Sequence, residues 1–524
     1  MKLTLSKSIL LFTLVVANFL SAQRIEWSPE YKGSRFGSTI FADKGKDFYT
    51  LTYNGSLLFS STYLTRYDDF SKGETKKISY KVDGGTGSFN DMIVVDGKVV
   101  VFITDRKNGM YKLYYQIYNK KCIPETNPKL VIEYKSPKGF KRGDYFKIIQ
   151  SKNKKYFVVE YAVPGNKTEN DRYGYKIFDD SFEIIGEGEY ESPYGSKESD
   201  ITNRYISNTG DLFVGIKVYN TNSKGRVRDF SSLKKYIICF IKGDELEEMD
   251  LDFKKKTVTD LTFSSDDNRI LTCTGLYGED RVATKGAFYC QMDFRNKTII
   301  NEGFSEFKKD FITEGWSDRA KKRANKLEAK GKGTPQLTKY DFRDVHTTKD
   351  GAIIVAMEQY YVVVVTTTDS KGNTRTTYHY YYNDVIVYRV QENGTFDWIK
   401  KVSKRQHTIN DGGYLSSIGG YFTDYAYVFY FNDHKKNYST AGKFLTNLPY
   451  VYSMTSTRRN NCVARVEIDL ENGNLVRDLY LSRKEAKVVA VPKFFVIDYV
   501  NNEMFMYFRI SGFNKKEKFG LLSF

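Results

Sequence analysis

The sequence predicts an all-β fold: a single β-propeller of about eight four-stranded blades, closed by its N-terminal strand and carrying a short helical insertion. Two observations lead to this prediction. The 524 residues include 42 Tyr and 37 Phe but only 9 Pro, and aromatic and β-branched residues suit the pleated, half-buried surface of a sheet. The second observation is a recurring unit of a short run, a polar turn and a strong apolar strand. A ring of seven blades is the alternative count.

The recurring unit is recognised by its turns. Residues rich in Asp, Asn, Gly and Lys precede strands that start near residues 47, 97, 156, 212, 268, 352, 427 and 503, as in VVDGKVVVFI and SNTGDLFVGIKV. Such residues tolerate positive φ angles or cap the turn locally. A third strand follows each hairpin, as in KLYYQIYN, and a more polar fourth strand usually ends the unit, as in LEEMDLDF. Four antiparallel strands about every 50 residues are typical of a propeller blade.

The two ends of the chain predict how the last blade is completed. After EMFMYFRI and KFGLLSF the chain stops at Phe524, one strand short of a blade. Residues 24–27, RIEW, have the apolar, acidic and Trp pattern of residues 396–398, FDW, in an outer strand. We therefore expect residues 24–28 to supply the outer strand of the final blade, which would remove an unpaired sheet edge.

Two other β architectures fit the composition. One is a pair of unrelated β-sandwiches. The other is an outer-membrane barrel, suggested by the terminal Phe524 and the aromatic content. A membrane barrel needs segments of about ten residues with a continuous apolar outward face. Charges occupy both faces of strands such as LEEMDLDF, so the propeller is the favoured interpretation.

The N-terminus is typical of a secretory signal peptide, which we expect to span residues 1–22. The opening MKLTLSKSILLFTLVVANFLSAQ places two lysines before an apolar run that ends in small residues. That run is short for a bilayer span, and no later stretch is long enough for a membrane helix. The mature propeller, residues 23–524, is expected in the periplasm or at the periplasmic side of the outer membrane. The extracellular space and an uncleaved anchor are the alternatives.

The charge of the chain indicates the kind of partner. The formal net charge is +17, and removal of residues 1–22 with their two lysines leaves +15 (17 − 2). Such a surplus favours an anionic glycan or lipid surface, or an acidic site in an envelope protein complex. Nucleic acid is not an expected partner, because the chain carries an export signal.

The sequence assigns no catalytic residue, cofactor or metal. Its five cysteines are scattered without a C-x-x-C pair, which does not indicate a disulfide framework. Cys273 and Cys290 are the one pair that could meet across neighbouring strands. The four histidines lack metal-ligand spacing, and the motifs of serine hydrolases, zinc peptidases and P-loop proteins are missing. Whether the chain is an enzyme stays open, with a non-enzyme favoured.

The first of three insertions spans residues 306–337. From Ser317, which could cap a helix, apolar residues fall near the helical period. Basic residues far outnumber acids over residues 319–332. The segment is either a solvated helical decoration or a basic dock for an anionic surface. The residues assigned to that dock are Lys321, Lys322, Arg323 and Lys326.

The second insertion, residues 358–382, alternates Val, Thr and Tyr around a Ser-Lys-Gly-Asn turn, which predicts a long β-hairpin. If the hairpin stands out from its blade, its tyrosines offer a rigid, amphipathic surface to a protein or a glycan. If it packs on the propeller, they are structural. The tyrosines assigned to this surface are Tyr360, Tyr361, Tyr378, Tyr380, Tyr381 and Tyr382.

The third insertion, residues 431–459, looks like a loop over one face of the ring. Functional residues concentrate on loops that a rigid scaffold holds in place. If all three insertions lie on one face, we expect that face to be the binding face.

Residues 340–437 carry a resemblance to a known group of proteins. The stretches DFRDVHTTKDGAIIVAMEQYY, NDVIVYRVQENGTFDWIKKVSKRQ and NDGGYLSSIGGYFTDYAYVFYFNDHKKN resemble the secreted β-propeller proteins of the Bacteroidota. The similarity covers the last third of the chain, and the first half only through its repeat. It implies an exported propeller and no specific chemistry.

The expected function is that of a non-catalytic binding or scaffold propeller of the bacterial cell envelope. A more specific hypothesis is a periplasmic subunit of an outer-membrane complex, such as the plug that seals a type 9 secretion translocon. The alternative is a carbohydrate-binding protein or glycan-active enzyme that uses the Tyr-rich hairpin and the propeller face.

Overall fold

The computed structural model describes residues 25–33, 38–56, 59–135, 146–163, 172–191, 193–194, 198–220, 233–253, 256–265, 269–278, 284–331, 337–454, 460–483, 489–510 and 516–524. The expected signal peptide and parts of the first and third insertions, residues 332–336 and 455–459, lie outside the described residues.

The described chain forms eight sheets of four or more antiparallel strands, which are the blades of a β-propeller. The N-terminal segment supplies β1 (Glu26–Trp27) and β2 (Tyr31–Lys32). Blade 1 contains β3 (Ser38–Lys44), β4 (Asp47–Ser56), β5 (Phe59–Asp68) and β6 (Ser71–Lys77), followed by a small hairpin of β7 (Lys81–Val82) and β8 (Gly85–Thr86). Blade 2 contains β9 (Ser88–Val95), β10 (Lys98–Lys107), β11 (Met110–Tyr118) and β12 (Lys129–Lys135).

Blades 3 to 5 follow the same pattern. Blade 3 contains β13 (Phe146–Gln150), β14 (Tyr156–Val163), β15 (Arg172–Asp179) and β16 (Ile184–Glu191). Blade 4 contains β17 (Ser199–Ile206), β18 (Leu212–Tyr219), β19 (Leu233–Lys242) and β20 (Glu245–Leu251). Blade 5 contains β21 (Thr257–Ser265), β22 (Ile270–Gly278), β23 (Gly286–Asp293) and β24 (Thr298–Glu306).

The last three blades carry the additions. Two helices, α1 (Lys309–Thr313) and α2 (Asp318–Glu328), precede blade 6, which contains β25 (Tyr340–Thr347), β26 (Ile353–Thr368), β27 (Thr374–Val390), β28 (Phe396–Val402) and β29 (Gln406–Ile409). Blade 7 contains β30 (Gly419–Phe422), β31 (Ala426–His434), β32 (Asn461–Asp469) and β33 (Leu475–Ser482), with a 3-10 turn at Lys435–Asn437. Blade 8 contains β34 (Val489–Ala490), β35 (Val496–Asp498), β36 (Glu503–Ile510) and β37 (Lys516–Ser523), with a 3-10 turn at Pro492–Phe494.

Two-residue turns with positive φ angles explain the regular hairpins. Asp96 and Gly97 between β9 and β10 have φ angles of 46° and 68°, and Asn108 and Gly109 between β10 and β11 have 55° and 76°. Turns of this type match the right-handed twist of the flanking strands, and they require Asn, Asp or Gly. The polar turns that mark the repeat in the sequence therefore set the strand boundaries.

Side-chain packing joins the blades into a ring. Phe102 of blade 2 meets Phe157 of blade 3 edge-to-face, with ring centroids 6.1 Å apart. Between blade 8 and blade 1, Phe519 packs on Phe48 at 4.9 Å. The first strands of neighbouring blades also contact one another, as β21 does with β17 and β25, so the first strands line the axis.

The N-terminal segment pairs with the C-terminal strand, as the sequence predicted. Glu26 and Trp27 lie opposite Leu521 and Gly520 of β37, so β1 is the outer strand of blade 8. These hydrogen bonds lie within the eighth sheet. No hydrogen-bonded ladder runs from the eighth sheet to the first in the described chain, and the ring itself is completed by side-chain packing.

Strand direction places all three insertions at one end of the ring. In a blade of four antiparallel strands, the first and third turns lie at one end, and the second turn and the link to the next blade lie at the other. The helices α1 and α2 belong to the link before blade 6, and the Tyr-rich hairpin is the second turn of that blade. Residues 435–454 follow β31 and begin the second turn of blade 7. We call this end the insertion end.

Two further expectations from the sequence concern a membrane-spanning helix and a disulfide bond. None of the helices within the described ranges is long and apolar enough to cross a bilayer. Cys273 and Cys290 lie directly opposite each other on β22 and β23. All five cysteines are buried free thiols, so this pair is adjacent but not joined.

Candidate functional site

A cleft opens at the insertion end where the three insertions meet. It consists of two adjoining cavities of about 710 Å³ and 360 Å³, which share Gly315, Trp316, Ser403 and Val451. We call the two cavities together the insertion cleft. Its walls come from the helical insertion, from β28 with the link that follows it, from the base of the hairpin and from the third insertion.

The helical wall is fixed by a buried lysine. The ammonium group of Lys401 on β28 donates hydrogen bonds to the backbone carbonyls of Phe311, Ile312 and Glu314, at 3.3, 2.9 and 3.1 Å. These carbonyls lie at the end of α1, where a cation is favourable. Asp384 pairs with the same ammonium group at 3.2 Å. Trp316 is thereby held against the cleft.

The second helix begins at Ser317, as its sequence predicted. The Ser317 hydroxyl accepts a hydrogen bond from the Ala320 amide at 3.3 Å, and an ion pair between Lys309 and Glu328 ties α2 back to α1. No residue of α2 is buried. The helix is therefore a solvated arm whose first turn borders the cleft.

The third insertion is anchored by a buried charge pair. Asp433 binds the guanidinium of Arg477 and accepts a hydrogen bond from the Tyr438 hydroxyl at 2.5 Å. The side chain of Asn437 then bridges to the backbone of Tyr452 in both directions, at 2.8 and 3.0 Å. These bonds hold residues 437–452 as the outer wall of the cleft. Tyr450 and Leu445 stay partly exposed there, at 39% and 37%.

The hairpin contributes a row of stacked rings beside the cleft. Tyr361 and Tyr381 are stacked with centroids 4.7 Å apart, His407 of β29 stacks on Tyr381 at 4.5 Å, and His379 stacks on His407 at 5.2 Å. We call these four rings the ring shelf. All four are half-buried.

The ring shelf is connected to the cleft through Tyr361. Burial raises the pKa of the Tyr361 hydroxyl, and a hydrogen bond with Asn383 and the charge of Arg405 oppose this rise. Asn383 and Arg405 both line the smaller cavity. The ring shelf therefore adjoins the polar lining of the smaller cavity.

Only some of the residues that the sequence assigned to binding surfaces lie at the insertion cleft or in the ring shelf. Tyr361 and Tyr381 belong to the ring shelf, and Lys321 lines the larger cavity. Tyr382 lies on the opposite face of the hairpin, 2% exposed, where its ring packs at a tilt against Tyr360 beside Lys493. The other assigned residues are exposed or half-exposed and do not line the cleft: Tyr378, Tyr380, Lys322, Arg323 and Lys326.

Sequence reasoning missed five residues of the site. Trp316 stands beside the predicted helix cap and is one of only 3 Trp in the chain, which was a usable signal. Tyr450 lies within the third insertion, whose loop was recognised but whose lining residues were not assigned. Ser403, Arg405 and His407 had no sequence signal, because the short strand β29 that adds to β27 follows no repeat.

The chemistry of the cleft suits binding. Trp316, Tyr450 and Leu445 give it apolar contact area. Six basic residues along its walls outnumber the three acids Glu314, Asp318 and Asp384: Lys321, Lys400, Lys401, Lys404, Arg405 and Arg477. The described part of the chain holds no group of three or more His, Cys, Asp or Glu side chains suited to a metal ion. Aromatic surface with surplus positive charge favours an anionic or polar chain-like ligand.

No model of a known protein family and no curated protein sequence matches the chain. Solved structures that resemble it include the Dos1 propeller, at 8% identity over 94% of each chain with a TM-score of 0.43. Sqt1 from Chaetomium thermophilum matches at 9% identity over 95% of this chain and 98% of that chain, with a TM-score of 0.36.

Prolyl oligopeptidase B from Galerina marginata matches at 10% identity over 95% of this chain, with a TM-score of 0.36. The chain spans 57% of the length of that peptidase. Likenesses at this level carry no argument about activity or ligand.

Proposed function

We propose that this chain is a non-catalytic binding propeller of the bacterial cell envelope, and that the insertion cleft is its binding site. The observation that carries the proposal is the convergence of three separate insertions on one cleft at one end of the ring. Loops on a rigid scaffold are where binding residues concentrate.

The finer form of the proposal concerns compartment and partner. The signal-peptide pattern of residues 1–22 supports export, and the net charge of +17 supports an acidic partner. A periplasmic subunit that docks on an outer-membrane complex, such as the plug of a type 9 secretion translocon, combines both features. In this form the cleft receives a segment of the partner.

Site-specific crosslinking in the cells that produce the protein tests this proposal. A photo-crosslinking residue is placed at Lys321 or Tyr450 in the cleft, and a matched one at Lys349, which is exposed at the other end of the ring. We expect an envelope protein to be captured from the two cleft positions and not from Lys349. Recovery of the chain as a free extracellular monomer, with no envelope partner at either cleft position, would contradict the proposal.

Carbohydrate binding is the second candidate, and the ring shelf supports it. The stacked rings of Tyr361, Tyr381 and His407 present their edges beside amide and guanidinium groups, and this mixture of apolar and hydrogen-bonding groups suits a sugar. Tyr361→Ala should abolish binding on a glycan array, whereas Tyr378→Ala, on the other face of the same hairpin, should not. Glycan binding that survives Tyr361→Ala would remove the ring shelf from consideration.

A further inference from the structure

The hairpin of blade 6 leaves one long strand edge open. β25 pairs with β26 only as far as Tyr340, which lies opposite Gln359, whereas β26 continues to Thr368. No strand of the described chain pairs with this side of β26 beyond Gln359. We call residues 360–368 on this side the open edge.

The backbone groups that the open edge presents follow from two hydrogen bonds. The Tyr360 amide donates to the Lys339 carbonyl at 2.8 Å, so it points away from β27. On β27, the Tyr378 amide donates to the Asn410 side chain and the Tyr378 carbonyl accepts from the Asn410 amide, so both point away from β26. Tyr378 lies opposite Val364. Alternation along an antiparallel pair therefore directs the amides and carbonyls of Val362, Val364, Thr366 and Thr368 outward.

This edge has none of the features that usually protect an edge strand. Native proteins protect such edges with charged side chains, proline or bulges. Residues 360–368 read YYVVVVTTT, with no charge and no proline, and the pairing with β27 has no register shift after Tyr360. Val363, Val364 and Val365 are 41%, 54% and 39% exposed. A run of this kind has high β-propensity and is ready to add another strand.

We propose that the open edge pairs with the open edge of a second copy of this chain, antiparallel, about a two-fold axis at Val364. In this register Val364 faces its own equivalent, and Val362 faces Thr366 of the second copy. The outward amides and carbonyls of Val362, Val364 and Thr366 then meet one another, because these positions have the same parity. The Tyr360 amide stays bonded to the Lys339 carbonyl, so the pairing ends before Tyr360. The two hairpins become one continuous sheet.

Charge is the reason for choosing a second copy as the occupant. In a two-fold pairing a charged residue near the axis would face its own charge, and like charges opposite each other are destabilising. The open edge is uncharged, although the chain as a whole carries +17. A single strand of nine residues on each side is well below the roughly 800 Å² per partner of a standard interface. The dimer should therefore be weak and concentration-dependent.

Sedimentation of the mature chain over the micromolar range tests the pairing. Val364→Pro removes an outward amide without breaking the hairpin ladder, because the Val364 amide does not point to β27. We expect this variant to raise the dimer dissociation constant at least tenfold. Thr376→Pro is the matched control, since it removes an outward amide from the other edge of the same hairpin, and it should leave the dimer intact. A wild-type chain that stays monomeric throughout would overturn the proposal.

Crosslinking tests the register independently of proline. Val364→Cys places two thiols opposite each other across the axis, within the span that a disulfide needs, whereas Val363→Cys lies on the other face and faces Val365 of the second copy. The five native cysteines are buried and should not interfere. Mild oxidation should give a covalent dimer for Val364→Cys in clear excess over Val363→Cys. Equal yields, or capture only of a strand from another protein, would overturn self-pairing at this edge.

Discussion

The ammonium group of Lys404 lies 2.5 Å from the carboxylate of Glu358, and both side chains are completely buried. Glu358 stands on β26 just before the hairpin leaves the blade, and Lys404 stands on the link that follows β28. Arg343 and Ser417 also donate hydrogen bonds to the Glu358 carboxylate, at 2.8 and 2.6 Å. Burial lowers the pKa of Lys404, and the charge of Glu358 opposes that shift. This pair therefore fixes the root of the hairpin beside the insertion cleft.

Loss of either partner of this pair should destabilise the fold strongly. Glu358→Gln leaves the buried Lys404 ammonium group without its carboxylate partner, and Lys404→Met leaves Glu358 with Arg343 as its remaining cationic contact. Breaking a buried pair in this way typically costs about 3–5 kcal/mol. The double variant should lose at least about 1 kcal/mol less than the sum of the single losses, because it no longer buries the Lys404 charge without a carboxylate partner. Urea unfolding of the four proteins measures this coupling. Asp250→Asn, which breaks the more exposed Lys235 pair, is the control and should change stability by less than about 1 kcal/mol.

A carboxyl group on the axis-lining strand β25 should make stability depend on pH. Burial raises the pKa of Asp344 to about 6, against the opposing effects of the Lys152 charge and a hydrogen bond from Tyr499. Between pH 3.8 and 6 the Asp344 carboxyl group is protonated in the folded chain and ionised in the unfolded chain. The stability that comes from this proton is therefore fully present below pH 3.8 and is lost as the pH rises through 6. Asp344→Asn should therefore be up to about 3 kcal/mol more stable than the wild type at pH 8, with no gain at pH 3.5. A gain of equal size at both pH values would contradict this assignment.

His346, two residues further along β25, should make stability depend on pH in the opposite direction. Burial lowers the pKa of His346 to about 4, with a further lowering by Lys152 and a smaller opposing effect of Asp424, and the ring stacks on Phe422 at 4.7 Å. As the pH is lowered, the unfolded chain binds the proton before the folded chain does. The stability associated with His346 is therefore fully present above pH 6.5 and is lost as the pH falls through 4. When the pH is lowered from 8 to 4, the free energy of unfolding of His346→Gln should rise by up to about 3 kcal/mol relative to that of the wild type. Thermal unfolding at both pH values measures the difference, and a constant offset would contradict it.

The thiols should resist modification until the chain unfolds. All five cysteines are buried, and burial raises the pKa of Cys122 to about 11 and those of Cys239, Cys273 and Cys462 as well. The thiolate is the reactive form. A colorimetric thiol reagent should therefore detect fewer than one thiol per native chain and five after denaturation. Rapid reaction of the folded protein would show that a thiol is accessible.

The blade pattern could be predicted from the sequence because it repeats. Turn residues such as Asp96 and Gly97 are visible in the sequence, and they fix where β9 ends and β10 begins. Ser317 as a helix cap was predictable for the same reason, since its partner is the nearby amide of Ala320. Local chemistry determines each of these features.

The site could be predicted only in part, because it depends on distant pairings. Tyr381 and Tyr382 are neighbours in the sequence, yet Tyr381 belongs to the ring shelf and Tyr382 is buried on the other face, since side chains alternate along a strand. Which face borders the cleft follows from β29 adding to β27, which brings His407 onto Tyr381. No residue pattern near Tyr381 announces that pairing.

The outer strand of blade 8 offers the sharpest test of how the last blade is completed. The Trp27 ring meets Phe508 edge-to-face at 4.9 Å, and Lys518 lies over it at 4.3 Å. At the next residue, the Ser28 hydroxyl accepts a hydrogen bond from the Phe519 amide of β37 at 2.9 Å. Trp27→Ala removes the aromatic and cation–π contacts together and should lower the free energy of unfolding by about 2–3 kcal/mol.

β1 also covers the edge of β37, so a variant that loosens β1 should have a second effect, on aggregation. An exposed edge adds strands from other molecules, and Trp27→Ala should therefore aggregate at a lower temperature than the wild type, as followed by light scattering. Trp398→Ala is the matched control: Trp398 lies on the outer strand of blade 6, held by a hydrogen bond from its ring to the Leu470 carbonyl at 3.3 Å. It should lower stability without exposing the β37 edge. Equal aggregation of the two variants at equal loss of stability would mean that β1 contributes only buried area and does not protect the edge.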